Sequence, residues 1–394
     1  MKSFLYIEPY VYVNMNEKKG LLLNTFNHLL YVTSDAQILS ILRNLTNSER
    51  GNLILYNKSL TKEIRQFIDW LKASYSGDFL TISDSQELPY QLLPNIENFS
   101  FKEMKENKIC DVTFYLNSSC SLGCESCNLY NKQTIFCKNN NSKKLSLQNI
   151  SSFLEEIGPH RINRISFIGG DIFDDSLKDY VALLRNIKCE KNIYIHITQI
   201  TTDSIQLLNQ CGSDITILVP DQYDLDTLIE KINRLSSLRC KYVINKIIKD
   251  EESLEIVYNQ IPNINYIPFF NQNIKFFKKY VFMDIKDLKS IKTNMQELFN
   301  NNNFNSLFMG KIIVDSDLHV YVSFAEKSIG DIKTLESIRT LLNKLYDDNS
   351  LWKMTRKSVS PCNTCIFNLI CPPLSNYELI MKRNNLCNLL DSVS

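Results

Sequence analysis

Between residues 110 and about 271 the chain alternates strictly between short runs rich in β-branched and aromatic residues and longer runs with apolar residues at helical spacing. The strand-like runs are "CDVTFYL", "RISFIGG", "NIYIHIT", "DITILVP", "KYVINKI" and "INYIPFF". Between them stand "SLQNISSFLEEIG", "DSLKDYVALLRNI", "TDSIQLLNQC", "YDLDTLIEKINRL" and "ESLEIVYNQI". Such alternation predicts an α/β fold, a parallel sheet with helices packed outside it. Six units are too few for the closed eight-unit barrel, so the expectation is an open, partial (β/α)6 barrel, TIM-like in its winding. Its sites belong at the C-terminal ends of the strands.

That rule gives an address to the cysteines. The chain has 12 of them in 394 residues. Clustered cysteines in a reducing compartment bind metal or do redox chemistry more often than they pair as disulfides. Cys120, Cys124 and Cys127, spaced C-x3-C-x2-C, follow directly on "CDVTFYL". The second strand ends in Gly169, Gly170 and Asp171 at the same rim. Glycines there let backbone approach a ligand. Three thiols are one ligand short of a closed site, and no histidine is near in sequence. Part of a zinc site, or a vestige, is the bland reading; the strand address and the Gly-Gly-Asp turn favour an iron–sulfur cluster. A second set, Cys362, Cys365, Cys371 and Cys387, offers four thiols with C-x2-C-x5-C spacing, which suits either an iron–sulfur cluster or zinc. The other five cysteines read as small buried hydrophobes, with Cys137 close enough to the first set to be considered with it.

The flanks divide the chain into three parts: 1–105, 106–272 and 273–394. The first opens with "FLYIEPYVYVN", "KGLLLNTFN" and "HLLYVTSD", then "AQILSILRNL" behind Ser34 and Asp35 as caps, then "LTKEIRQFIDWLKAS". This predicts a three-stranded sheet backed by helices, a small α+β domain. "SDSQELPYQLLPNIENFS" reads as a linker. A net charge of +1 gives no electrostatic footprint for nucleic acid or an anionic membrane. No apolar run approaches the ~20 residues that span a bilayer. The first residues lack the pattern of a signal peptide, and the chain is read as cytoplasmic.

The cysteine loop after the first strand of a six-unit barrel, with a Gly-Gly-acid turn after the second, resembles the radical SAM enzymes. The resemblance implies that Cys120, Cys124 and Cys127 hold three irons of a [4Fe–4S] cluster. The fourth iron is then left to S-adenosylmethionine (SAM), and Gly169, Gly170 and Asp171 hold its amine. In that family an electron from the cluster cleaves SAM to a 5′-deoxyadenosyl radical that abstracts hydrogen. Two positions depart from the family pattern: Ser126 stands where an aromatic precedes the last cysteine, and Asp171 where a Glu is usual. The C-terminal set is similar to the SPASM extension of radical SAM peptide maturases. On that resemblance Cys362, Cys365, Cys371 and Cys387 match the ligands of one auxiliary [4Fe–4S] cluster, with zinc the rival. The ligands of a second auxiliary cluster are missing: Leu318 and Ser323 stand where a hairpin Gly and Cys belong, and Ser375 at the C-x3-C partner position.

"CPPLSNYE" with the trailing "NLC", and "MQELF…MGKIIVDSDLHVY", bring the chain closest to the pseudo-radical-SAM proteins. These accompany a peptide maturase in bacterial clusters for ribosomally made, modified peptides, and many have lost the three cysteines kept here. The resemblance implies a ribosomally synthesised precursor peptide as partner, a second maturase, and a reductant such as flavodoxin or ferredoxin. It leaves open an active maturase or a catalytically silent scaffold that presents the peptide. The first 105 residues resemble winged-helix-like leader-peptide recognition modules, which add an extended peptide at a sheet edge. Elsewhere, His196 reads as a barrel-interior or core residue, with core favoured. "NNNNFNS" (300–306) reads as a solvated loop and "KFFKKYVF" as a connecting segment.

Overall fold

The structure is a computed structural model that describes residues 2–48, 53–56, 59–82, 109–117, 120, 122, 124, 126–138, 144–158, 162–173, 179–180, 182, 188–261, 264–347 and 350–389. Its centre is a nine-stranded sheet. Strands β7 (Asp111–Asn117), β8 (Arg164–Gly169), β9 (Glu190–His196), β10 (Asp214–Val219), β11 (Tyr242–Ile248) and β12 (Ile264–Pro268) lie side by side in chain order. Every pair among them is parallel. These are the six expected strands. The predicted helices between them are present too: Leu147–Ile157, Thr202–Cys211, Leu225–Arg234 and Glu251–Gln260. "DSLKDYVALLRNI" and the predicted linker lie largely or wholly outside the described residues. The helix Leu147–Ile157 is capped by Ser146 and closed by Gly158 in the left-handed region, φ 76°.

Side chains on a strand alternate faces, so the sheet has two different surfaces. One carries Val112, Phe114, Ile165, Phe167, Ile193, Ile195, Ile217 and Ile244, all packed with Ile150, Phe153, Leu208 and Leu228 of the helices. The other carries Tyr115, Ile168, Leu218 and Ile247, which cluster with Cys127, Tyr130, Phe136, Cys137 and Phe269. The helix-covered face is the main core. The opposite face meets the segment bearing the cysteine motif.

Beyond β7 the sheet continues in a way the sequence pattern did not announce. β13 (Lys311–Val314) pairs parallel with β7, and β14 (His319–Tyr321) and β15 (Gly330–Asp331) follow antiparallel. Residues after 272 therefore cover the edge that β7 would otherwise expose.

The first 82 residues differ from expectation. "FLYIEPYVYVN" is not one strand. Pro9, which lacks an N–H for a ladder, lies in a turn closed by the Val11 N–H to Glu8 O bond (3.0 Å). The run splits into β1 (Lys2–Ile7) and β2 (Val11–Met15). β1 sits between β5 (Leu53–Leu55) and β6 (Gly77–Ile82), while β2 pairs with β3 (Gly20–Asn24) and β3 with β4 (Leu30–Thr33). Two small sheets replace the one predicted. The helices Ala36–Thr46 and Lys62–Ala73 form as expected, and Asp35 caps the first by accepting from Gln37 and Ile38 N–H.

Two further readings change. "NNNNFNS" is not a solvated loop: Asn300–Asn303 end the helix Met295–Asn303, and Asn305 is 1% exposed. Its amide donates to Leu374 O at 2.9 Å and Met354 O at 3.2 Å, which offsets the desolvation of a buried polar group. "KFFKKYVF" is mostly the helix Ile274–Tyr280, with Phe277 fully buried against Tyr377. No described helix is long and apolar enough to cross a membrane.

Candidate metal and cofactor sites

β7 and β8 are neighbours whose last residues, Asn117 and Gly169, are paired. The cysteine loop and the Gly-Gly-Asp turn therefore leave the sheet side by side, at its C-terminal rim. Cys120 and Cys124 are half-buried and Cys127 is buried. Cys127 opens the short helix Cys127–Gln133, which is fastened directly to two other strand ends and through Asp221 to a third. The Tyr130 hydroxyl donates to the Asp221 carboxylate just past β10. Lys249, just past β11, holds the same carboxylate at 2.9 Å. Lys246 donates to the backbone carbonyl of Asp221 at 2.9 Å. Gln133 exchanges two bonds with the Phe270 backbone beyond β12, at 2.9 and 2.7 Å.

The electrostatics follow from burial and these partners. Burial would raise the Asp221 pKa, but the Tyr130 hydrogen bond and Lys249 outweigh it and the carboxyl ends below its ordinary value. The Tyr130 phenol is pushed up by burial and by Asp221. Burial takes the Lys246 amine down to about 8.

The Cys124 thiol is pushed up to about 11, by burial first and then by Cys120 and Cys127. Its Sγ lies 3.4 Å from His196 Nε2. His196 is thus an inner-face residue beside the motif as well as a satisfied one. Burial takes its ring down to about 4, so it is neutral near pH 7. A fourth sulfur faces the same place: Cys137 is 5% exposed and packs in the apolar cluster that holds Cys127. Its thiol is pushed up by burial and then by Cys124, Cys120 and Cys127.

In the Gly-Gly-Asp turn, Gly170 O accepts from Gln199 Nε2 at 2.8 Å. Asp171, Phe173, Gln199 and Thr201 line an open pocket of about 460 Å³ beside the helix Thr202–Cys211.

Cys362, Cys365, Cys371 and Cys387 all line one cavity of about 150 Å³, together with Arg356 and Glu378. Arg356 is the organising residue. Its guanidinium pairs with Glu378 at 2.7 Å, donates to Asn384 O at 3.2 Å and reaches Cys362 Sγ at 3.6 Å. The pair is buried, with side-chain exposures of 11% and 2%. Burial pushes the Cys371 thiol up to about 12, with Arg356 opposing.

Spacing bears on what these sets can hold. A single zinc with Zn–S near 2.3 Å draws tetrahedral sulfurs to roughly 3.8 Å from one another. Among the described residues, the only trio of ligand atoms lying within 4.8 Å of one another is Asp315, Asp317 and His319. No three sulfurs of either cysteine set are that close. Four thiols around one cavity of about 150 Å³ are a donor set that suits either an iron–sulfur cluster or zinc. The Asp315 trio is a turn between β13 and β14: Asp315 Oδ1 already accepts from the Asp317 and His319 N–H groups, and Oδ2 pairs with Lys138 at 3.2 Å.

The positions that depart from the SPASM pattern have other partners. Ser375 N–H and Oγ both donate to Glu378 Oε2, at 2.7 and 2.6 Å. Ser323 Oγ donates to Asn376 Oδ1 at 2.6 Å. Leu318 stands in the left-handed region, φ 67°, where a glycine would sit without steric cost.

Asp221, Lys249, His196, Arg356 and Glu378 were not found as site residues from sequence. Asp221, Lys249, His196 and Arg356 stand outside the cysteine motifs; Glu378 ends "CPPLSNYE", but nothing in that run marks it as the partner of Arg356. The nearest thing to a signal is His196, which falls on the inner-facing parity of β9.

A family profile described as a 4Fe-4S single cluster domain matches residues 110–256, a span that includes Cys120, Cys124 and Cys127. It agrees with the resemblance carried by the cysteine motif. No curated protein matches the chain. Among solved structures the chain is similar to Streptococcus suis SuiB bound to S-adenosylmethionine, at 13% identity and a TM-score of 0.41, covering 98% of each chain. SuiB bound to precursor peptide SuiA matches at 14% identity and 0.42, covering 99% of each. Native anSMEcpe with bound AdoMet matches at 13% and 0.42, covering 66% of this chain and 88% of that one.

Proposed function

We propose that the chain is a radical SAM-type maturase acting on a ribosomally synthesised precursor peptide. The observation that carries the reading is the juxtaposition of an unsaturated three-cysteine loop and a Gly-Gly-Asp turn at neighbouring strand ends, within a 4Fe-4S match. Cys120, Cys124 and Cys127 would ligate a [4Fe–4S] cluster, and Gly169, Gly170 and Asp171 would hold the amine of SAM. A cluster so held supplies an electron for reductive cleavage of SAM. The protein's part is positional. The Tyr130–Asp221–Lys249 contacts fix the helix that follows Cys127, and Gln199 fixes the carbonyl of Gly170. Cys362, Cys365, Cys371 and Cys387 would hold a second cluster saturated by protein ligands, with a structural or electron-transfer role. The division into a peptide-recognising part (1–105), a barrel (106–272) and a SPASM-like part (273–394) belongs to the same proposal, as does a cytoplasmic setting with a reductant.

One observation favours a second reading, a silent scaffold that presents the peptide to another maturase. Cys137 is buried against the same apolar cluster as Cys127, where a fourth thiolate would fill the position SAM needs. SAM alone separates the two. Anaerobically reconstituted protein under dithionite produces 5′-deoxyadenosine on the first reading. On the second it produces none while carrying a full barrel cluster.

A further inference from the structure

We propose that His196 is a positioning residue that holds Cys124 and raises the reduction potential of the barrel cluster by donating an Nε2–H···S hydrogen bond. The proposal rests on the cluster reading above. His196 ends β9 with its ring on the inner face, 4% exposed. The backbone N–H of Thr198 points at Nδ1 at 3.3 Å, and the Thr198 hydroxyl lies 2.7 Å from the same atom. A backbone N–H can only donate, so Nδ1 is the acceptor nitrogen and the ring proton sits on Nε2. Nε2 is the atom 3.4 Å from Cys124 Sγ.

The local fold fixes this arrangement. His196 caps the short 3-10 turn Ile197–Gln199, whose Gln199 side chain accepts from the His196 N–H at 2.9 Å. Phe136 and Tyr223 stand edge-on to the ring, with centroids 6.4 and 6.5 Å away. Turn geometry selects the tautomer, and the tautomer selects a donor aimed at the sulfur, as outer-shell partners do at metal sites. Hydrogen bonds to cluster sulfurs are among the levers that set iron–sulfur potentials. A donor stabilises the more negative, reduced cluster, so its loss makes reduction harder.

The test is a potentiometric EPR titration of the reconstituted full chain, with the spectrum of a Cys120→Ala, Cys124→Ala, Cys127→Ala variant subtracted to remove the C-terminal centre. His196→Phe keeps a ring and loses the donor. It should load the same iron and be about tenfold harder to reduce, a midpoint roughly 59 mV lower for one electron. His196→Gln, which retains an N–H, should recover part of the shift, and His196→Asn, too short to reach, should not. A His196→Phe midpoint equal to that of the unsubstituted protein overturns the proposal and leaves the cluster reading standing. If His196→Phe loads no iron, an unshifted His196→Asn midpoint overturns it instead. Absence of barrel iron in the unsubstituted protein overturns both.

Discussion

At the residue scale, two substitutions decide how well SAM would be held. Ser126 brings no aromatic face before Cys127, and an aromatic contact is worth about 0.5–1.5 kcal/mol beyond its area. Asp171 is a methylene shorter than Glu, and a weakened hydrogen bond to a charged group costs about 1.5–3 kcal/mol. Together they predict SAM affinity lower by roughly one to three orders of magnitude, since each 1.4 kcal/mol is tenfold. Asp171→Glu should recover about tenfold of it in a direct SAM titration, and no gain would remove Asp171 from the amine site. The thiols make a second prediction. Burial holds Cys371 up to about 12 and Cys124 up to about 11, so without metal both are protonated at neutral pH. Loading either site must then release protons, and affinity must fall as pH falls. Proton release followed with an indicator dye during anaerobic loading checks this; loading without release contradicts it. The cysteines were legible because spacing on a loop is a one-dimensional signal. His196 was not, because its partner Cys124 is 72 positions away.

At the scale of single elements, the helix Cys127–Gln133 has only seven residues, too few to hold itself in water. Tertiary bonds hold it, and Asp221 is the centre of them. Asp221→Asn keeps an acceptor for Tyr130 but loses the charge that Lys249 meets, so it should destabilise by about 1–3 kcal/mol at neutral pH. The sign with pH follows from the lowered Asp221 pKa. The contribution is fully present above the unfolded carboxylate value of about 4, and is lost as pH falls through the folded value. Urea midpoints of the metal-free unsubstituted protein and Asp221→Asn should therefore differ at pH 7 and converge in acid. A gap that persists in acid would assign the effect to packing. In the C-terminal part, Arg356→Ala leaves Glu378 buried without its cation, which costs about 3–5 kcal/mol. It should also empty the four-cysteine cavity of metal, read by iron and zinc analysis. The parallel strands and most of the helices between residues 110 and 268 were legible from the alternation of strand-like and helical periods. The N-terminal sheets were not, because strand partners there depend on where Pro9 turns the chain. The asparagine run was misread because composition alone cannot show that Asn305 satisfies buried carbonyls.

On the scale of the whole molecule, the ends of the chain meet. Tyr12, Leu21 and Leu23 of the β2–β3–β4 sheet pack with Ile366, Phe367, Leu369 and Ile370, the residues between the C-terminal cysteines. Asn14 Nδ2 donates to Ile366 O at 2.8 Å. Leu23→Ala should therefore cost about 2–5 kcal/mol and loosen metal at the four-cysteine site packed against the same cluster. Metal retention during dialysis reads this, and unchanged retention would mean the two parts are independent. The sequence pattern held no trace of this contact or of β13 joining β7, since both are long-range pairings without a local mark. On the proposed reading, one iron of the cluster at Cys120, Cys124 and Cys127 is left open to SAM. The most direct measurement is the EPR spectrum of the reduced, anaerobically reconstituted protein before and after adding SAM. The barrel-cluster signal should shift with SAM, and that response should disappear in the Cys120→Ala, Cys124→Ala, Cys127→Ala variant while the C-terminal signal remains. A response that survives the triple substitution, or a barrel cluster indifferent to SAM, would contradict it.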